Sequence, residues 1–233
     1  RSAAAIRLVL PGDRDALVKA VTATIATYEL PNGYLRLIVT RGEGRLGLDP
    51  SSCTRPSLIV IADELAVVPQ AVRDHGARVI IAATRRLAPD GLDPRIKSLN
   101  YLNHILARIE ATNAGADEAI LLNQRGHVAE GSAENVFIVR AEELLTPPAT
   151  DGALEGITRM AVLETAAAAG LRWREATLSP YDLYTAEECF LTGTGAELIP
   201  VREVDGRPLR YCPGPFYARL CEGFAKLIER ETA

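Results

Sequence analysis

Metal-binding and redox side chains are scarce in this sequence, which carries four cysteines and three histidines in 233 residues. Cys53, Cys189, Cys212 and Cys221 form no C-x-x-C pair, and His75, His104 and His127 do not join them at zinc spacing. No metal site is expected, and the cysteines read as reduced thiols. There is no apolar run approaching the roughly 20 residues that a membrane span requires, and no charged-then-apolar secretory profile at the start. The expectation is a cytoplasmic protein without a membrane partner. Nor is there a basic excess. Lys and Arg number 26 against 30 Asp and Glu, a net charge of -4 that leaves no cationic face for nucleic acid or an anionic bilayer. Repeats and low-complexity tracts are missing too. Small-molecule chemistry is what remains.

What is present is an ordinary globular composition, 48% hydrophobic and 24% charged, arranged in mixed helix and strand patterns. Residues 3–9 read as a chain opening inside a helix. Leu17, Val18, Val21 and Ile25 recur at helical spacing in Asp13–Tyr28, and Tyr34–Thr40 alternates as a strand after the Pro31-Asn32-Gly33 turn. A Gly-rich connection, 42–50, precedes an apolar strand over Ser57–Ile61, and the less regular, Pro-containing 62–73 reads as a linker. A second set of elements follows: a strand over Val79–Thr84, then a helix over Leu99–Ala111 with Leu102, Ile105, Leu106 and Ile109 on one face. Glu118–Asn123 and His127–Val139 flank Gln124-Arg125-Gly126 as a hairpin. Helices are expected over Arg159–Ala169, closed by Gly170, from Ser179, and over Phe216–Glu229, with strands over Cys189–Thr192 and Leu198–Val204 before an Asp205-Gly206 turn. Hairpins alongside crossovers argue an α+β fold.

Several residues are candidates for chemistry, and pattern alone singles out none. Lys97, in Arg95-Ile96-Lys97-Ser98-Leu99-Asn100-Tyr101, lies between an extended segment and a helix. There an amine can be partly buried and made nucleophilic, although most lysines are simply solvated. Glu130 stands at a strand end beside a Gly-Ser turn, where a carboxylate either faces a ligand nitrogen or faces water. Gly156-Ile157-Thr158 opens a helix whose N-H groups suit an anion, while Thr158 reads equally as a plain cap. Leu191-Thr192-Gly193-Thr194-Gly195-Ala196 is a polar turn able to present N-H donors, or an ordinary loop.

Four ordered segments together resemble the fold type IV, or class IV, pyridoxal phosphate enzymes, and among them the branched-chain amino acid aminotransferases. They are Ile96-Lys97-Ser98-Leu99-Asn100-Tyr101-Leu102-Asn103, then Gly115-Ala116-Asp117-Glu118-Ala119 leading to Glu130-Gly131-Ser132-Ala133-Glu134-Asn135-Val136-Phe137, then Leu154-Glu155-Gly156-Ile157-Thr158-Arg159, and Leu191-Thr192-Gly193-Thr194. The resemblance implies a two-domain α+β fold of the D-amino acid aminotransferase type: a small domain over 1–62, a linker over 63–73 and a large cofactor-binding domain over 74–233. It implies pyridoxal 5'-phosphate as cofactor, held by Lys97 as a Schiff base, with Lys97 then moving the substrate proton. It further implies Glu130 at the pyridine nitrogen, Tyr101 at the phenolic oxygen, Leu154 against the ring, and Gly156, Ile157, Thr158, Gly193 and Thr194 around the phosphate.

For the substrate, Gly33-Tyr34-Leu35-Arg36 is similar to the family's Tyr-x-Arg strand, so Tyr34 and Arg36 are implied carboxylate-recognising residues. The alternative for Tyr34 is a core position. Thr194, Gly195 and Ala196 are implied to meet the α-carboxylate, and Leu46 and Leu48 to wall the pocket of a partner subunit in a homodimer or higher homo-oligomer. Three departures from the pattern matter. The chain enters after a stretch of the small domain that in the family carries a phosphate-binding arginine and pocket aromatics; Ala62-Asp63-Glu64-Leu65-Ala66 stands where relatives often have Trp-Gly; and Gly195 takes a position commonly held by alanine. The expected reaction is transamination between leucine, isoleucine or valine and 2-oxoglutarate or a branched 2-oxo acid. A D-amino acid transaminase and an aminodeoxychorismate lyase are the alternatives on the same fold, and a degenerate cofactor-binding dimer is the non-enzymatic one.

Overall fold

The computed structural model describes residues 1–30, 32–64 and 68–232. The chain divides into two compact units, 1–67 and 68–233. In the first, α1 (Ser2–Ala5) is a single turn, shorter than the helix expected over 3–9. The Leu8 N-H returns to the Ala3 carbonyl at 2.8 Å and Arg7 sits at φ 52°, a left-handed closure that ends the helix. Helix α2 (Arg14–Ala26) is capped by Asp13, whose carboxylate accepts the Ala16 N-H. Strand β1 (Tyr34–Thr40) pairs antiparallel with β2 (Ser57–Asp63), from Tyr34 opposite Asp63 to Thr40 opposite Ser57.

The second unit opens with α3 (Gln70–His75), a helix inside the segment expected to be an irregular linker. Pro69 supplies a starting φ of -58° and Gly76 ends the helix at φ 83°, so two residues that read as breakers act as its boundaries. The part of that linker at 65–67 lies outside the described residues. There follow β3 (Ala77–Ile81), α4 (Leu102–Asn113), β4 (Glu118–Leu122), β5 (Val128–Gly131), β6 (Asn135–Arg140), β7 (Glu143–Thr146), α5 (Ile157–Ala168), β8 (Arg172–Glu175), α6 (Pro180–Tyr184), β9 (Glu188–Gly193), β10 (Glu197–Val204), β11 (Arg207–Pro208) and α7 (Pro215–Thr232). Where one strand was expected over 127–139, two are found. Ser132, Ala133 and Glu134 interrupt the ladder between them.

The strands form one mixed sheet in the order β5-β4-β3-β10-β9-β6-β7-β8, with β11 on β10. The interruption forces the sheet to curl. Consecutive strands β5 and β6 stand five places apart in that order, which in a flat sheet would be about 24 Å. Three connecting residues reach at most about 14 Å between the flanking Cα atoms. Only a sheet bent back on itself brings the two strand ends together, and the Gly131 N-H donates to the Glu134 carbonyl across the join at 2.6 Å. The mixture of helices and strands is the α+β content that the sequence leads one to expect; the curl of the sheet is a feature of the structure.

One face of the sheet packs Ile120, Val136, Ile138, Leu145, Leu191 and Val201 together, and the other packs Phe137 and Phe190 against α5 and α7. The Phe137 and Phe190 rings stack 5.1 Å apart. Helix α4 departs from its expected orientation. Leu102, Ile105, Leu106 and Ile109 are exposed, and it is Ala107 and Ala111 that bury against Ala119 and Leu121. Small residues on the inner face let the helix backbone lie close to the sheet. Among the described residues, no helix is long and apolar enough to cross a membrane and no group of three or more metal-binding side chains comes together.

Candidate active site

A cavity in the second unit lies where α4, the join between β5 and β6, and the loop before α5 meet. Lys97, Tyr101, Glu130 and Leu154 all line it. Lys97 belongs to the coil ahead of α4, whose N-cap is Tyr101; the helix starts three residues later than its apolar pattern suggested. The lysine is exposed rather than partly buried, because the coil holds it at the cavity mouth, and its Nζ donates to Tyr101 Oη at 3.4 Å. The Tyr101 ring lies 5.0 Å from that of His104.

Glu130 is 5% exposed, which rules out the surface position weighed for it. Its Oε2 accepts the Leu154 N-H at 2.8 Å. Its Oε1 faces Arg86 Nε at 3.0 Å and His104 Nε2 at 3.5 Å. A buried carboxylate is tolerated only with such partners. Neither Arg86 nor His104 was among the residues picked out beforehand, since nothing in Arg85-Arg86 or in one helical histidine marks them.

Asn135 is a third residue that pattern reasoning missed. Its Nδ2 donates to the Leu154 carbonyl at 2.8 Å, and its Oδ1 lies where any side chain at Gly156 would intrude, 2.1 Å from an added Cβ. Glycine is therefore required at 156 for this close approach. In the strand ladder Asn135 is opposite Thr192, so the same asparagine brings the start of α5 beside the end of β9. At α5, the N-cap Gly156 provides no side-chain cap to the first-turn N-H groups; Thr158 is buried and Ile157 exposed. At β9, Gly193 abuts the Ala133 carbonyl and Glu134 Cγ, and Thr194, Gly195 and Ala196 form the turn into β10, with Thr194 exposed and Ala196 buried. Arg73 Nη1 donates to the Ala196 carbonyl at 3.1 Å, and the buried Thr192 hydroxyl has no hydrogen-bond partner among the described residues.

Behind the Ser132-Ala133 wall of the cavity two carboxyl groups meet. Glu118 Oε1 accepts the N-H groups of Ala119 and Ser132, and its Oε2 pairs with Arg108 at 3.1 Å. Burial, with the charge of Glu118 next to it, pushes Glu134 up to about 8, so Glu134 is largely protonated at neutral pH. At the cavity rim, by contrast, the hydrogen bonds and charge of Arg95 hold Asp93 down at about 2.

In the first unit, Tyr34 and Arg36 share one face of β1, with the guanidinium 5.7 Å from the tyrosine ring. Tyr34 is half-buried, short of a core position. Leu46 and Leu48 are fully exposed on the connection between β1 and β2.

An amine at a cavity mouth, a phenol beside it, a buried carboxylate within and an uncapped helix N-terminus next to a glycine turn are the donor set that pyridoxal phosphate requires: imine partner, ring contacts and phosphate cradle. The residues fit that cofactor, and they define the class as a pyridoxal phosphate enzyme. Residues 1–204 match the sequence model of the family Amino-transferase class IV. The chain belongs to the class IV aminotransferases, which are pyridoxal phosphate-dependent transaminases. It is 44% identical over 206 residues to a putative branched-chain-amino-acid aminotransferase of Methanocaldococcus jannaschii, covering 88% of this chain and 70% of that one. A branched-chain amino acid aminotransferase of Escherichia coli superimposes with a TM-score of 0.92 at 33% identity, over 97% of this chain and 75% of the other. The branched-chain aminotransferase of Thermobaculum terrenum, solved in its PLP form, does so with a TM-score of 0.86 at 28% identity, over 97% and 74%.

Proposed function

We propose that this protein transfers the amino group of a branched-chain L-amino acid, leucine, isoleucine or valine, to 2-oxoglutarate. The observation that carries the reading is the meeting of Lys97, Tyr101, Glu130 and Leu154 in one cavity, supported by relatives named as branched-chain aminotransferases. The chemistry that pyridoxal phosphate supplies when bound is delocalisation of the electron pair left on the substrate α-carbon. Lys97 is the amine that joins the cofactor aldehyde, and it takes and returns the proton at the α-carbon. Glu130, paired with Arg86, holds the proton on the pyridine nitrogen. Tyr101 hydrogen-bonds the phenolic oxygen, and Leu154 packs against the ring. The N-H groups of Gly156, Ile157 and Thr158, with Gly193 and Thr194, bind the phosphate at the positive end of α5.

On the substrate side, the proposal gives the α-carboxylate to Thr194, Gly195 and Ala196, and recognition of a second carboxylate to Tyr34 and Arg36. Leu46 and Leu48 are assigned to the pocket wall of a partner in a cytoplasmic homodimer, a role for which full exposure suits them. The test is a titration of the cofactor-loaded protein with L-leucine, L-glutamate and D-alanine, followed by the absorbance of the imine. The reading predicts that the imine band is lost with both L-amino acids and kept with D-alanine. A response to D-alanine alone would overturn the stereochemistry, and no response to L-glutamate would overturn the co-substrate. Borohydride reduction followed by peptide mapping must place the label on Lys97.

A further inference from the structure

We propose that Arg86 is a positioning residue for the cofactor ring, acting through Glu130 and through the loop that carries Leu154. This rests on the role assigned above to Glu130. Arg86 is 6% exposed, and its guanidinium is engaged on three sides. Nε-H donates to the Gly152 carbonyl at 3.1 Å while the same nitrogen lies 3.0 Å from Glu130 Oε1, and Nη1 donates to Asn103 Oδ1 on α4 at 3.4 Å. Its backbone is fixed as well, with the N-H donating to the Leu122 carbonyl at the end of β4 and the carbonyl accepting from Gln124. Gly152, at φ 110°, brings its backbone so close to the arginine stem that an added Cβ would lie 3.2 Å from Arg86 Cγ.

The geometry couples two walls of the cavity. Glu130 Oε2 is held by the Leu154 N-H, and the segment 152–154 that presents this N-H is itself held by Arg86 through the Gly152 carbonyl. One guanidinium thus fixes both oxygens of Glu130, the first by charge contact and the second through the loop. Both contacts are made at Nε, the N-H where the stem joins the guanidinium plane and a donor that lysine lacks. The charge also matters: a carboxylate 93% withdrawn from water at its side chain is countered by a cation of equal burial. His104, 3.5 Å from the same oxygen, is a weaker third contact. The position of the ring nitrogen relative to Glu130, and the proton between them, therefore depend on Arg86 although Arg86 itself need not touch the cofactor.

The experiment loads the wild type, Arg86→Gln, Arg86→Lys, Glu130→Gln and the Arg86→Gln/Glu130→Gln double variant with pyridoxal phosphate isotope-labelled at its ring nitrogen, and reads the protonation of that nitrogen by nitrogen NMR. Turnover is measured alongside, and circular dichroism of the cofactor-free proteins reports folding. The expected result is a protonated nitrogen in the wild type, loss of that proton in Glu130→Gln, and a shift in the same direction in Arg86→Gln. In turnover, Arg86→Gln lowers kcat/KM roughly 10- to 100-fold, as loss of a supporting partner does at other pre-organised sites. The double variant matches Glu130→Gln, because the two residues act as one unit. If Arg86→Gln does not fold, Arg86→Lys carries the test: the charge is kept and the Nε-H lost, so a partial shift is expected. A wild-type nitrogen signal in the folded arginine variant overturns the proposal while leaving Glu130 its role. A wild-type signal in Glu130→Gln overturns the Glu130 reading itself, and the Arg86 proposal falls with it.

Discussion

The two units of this chain differ in how they hold themselves together. Across 68–233 all three hydrophobic clusters are found, with Phe137, Phe190, Ile120 and Leu121 fully withdrawn from water. Among the described residues of 1–67 not one is buried, and Val18, Ile25, Leu37 and Ile59 are about half exposed. A single helix over a two-stranded sheet has too few layers to enclose a side chain, and such pairs of strands are marginal by themselves. The lesson is a division of labour. The unit with a dense core carries the lysine, the carboxylate and the helix N-terminus, which the proposed function needs held to a fraction of an ångström, whereas the open unit carries Tyr34 and Arg36.

The comparison can be broken in several ways. The largest effect belongs to Lys97→Ala, which removes the only lysine among the described residues that line the cavity: turnover is abolished while the circular dichroism of the protein is unchanged. Retained turnover would remove the mechanism. Next comes Phe190→Ala, which leaves a cavity beside the Phe137 ring and costs about 3–5 kcal/mol in urea unfolding. Its counterpart in the open unit, Ile25→Ala, changes stability by about 0.5 kcal/mol or less. Similar costs at the two positions would refute the division.

Smaller in effect is Gly156→Ala, whose Cβ must displace Asn135 Oδ1. It costs about 1–3 kcal/mol of overpacking and weakens cofactor affinity, measurable by fluorescence titration. Subtler still is a pH dependence. Glu134 is raised in the folded protein to about 8 from an ordinary 4.5, so between those values the folded state binds a proton that the unfolded chain has released. Stability accordingly falls as pH rises through that window. Urea midpoints at both ends should reveal the slope, and Glu134→Gln should flatten it; an equal slope in the variant would discard the raised Glu134 as its source. Finally, amides of β1 and β2 should exchange with solvent faster than those of β6 and β9.

Much of this architecture was legible in advance. The Gly170 stop and the Asp205-Gly206 turn mark their elements by local chemistry, and Lys97, Tyr101, Glu130 and Leu154, candidates from the sequence, share one cavity. The short strands β7 and β8 were not, since four residues are too few to display a period. Helix α4 misled, because its apolar stripe looks inward by pattern while alanines make the close contact. Arg86 and Asn135 gave no signal either: what distinguishes Arg86 from the adjacent Arg85 is only the carboxylate and the carbonyl that it meets.

By itself the sequence determined whatever depends on neighbours along the chain: which segments turn, which coil into helices, and which amine, carboxylate and glycine turns are available to a phosphorylated aldehyde cofactor. The tertiary structure alone decided what depends on neighbours in space. It curled the sheet so that β5 meets β6, buried Glu130 against Arg86, and set Glu134 against Glu118. The physical reason is one of range. Backbone propensity and capping act over a few residues, whereas desolvation and ion pairing act between groups that only a finished fold brings within a few ångströms of each other.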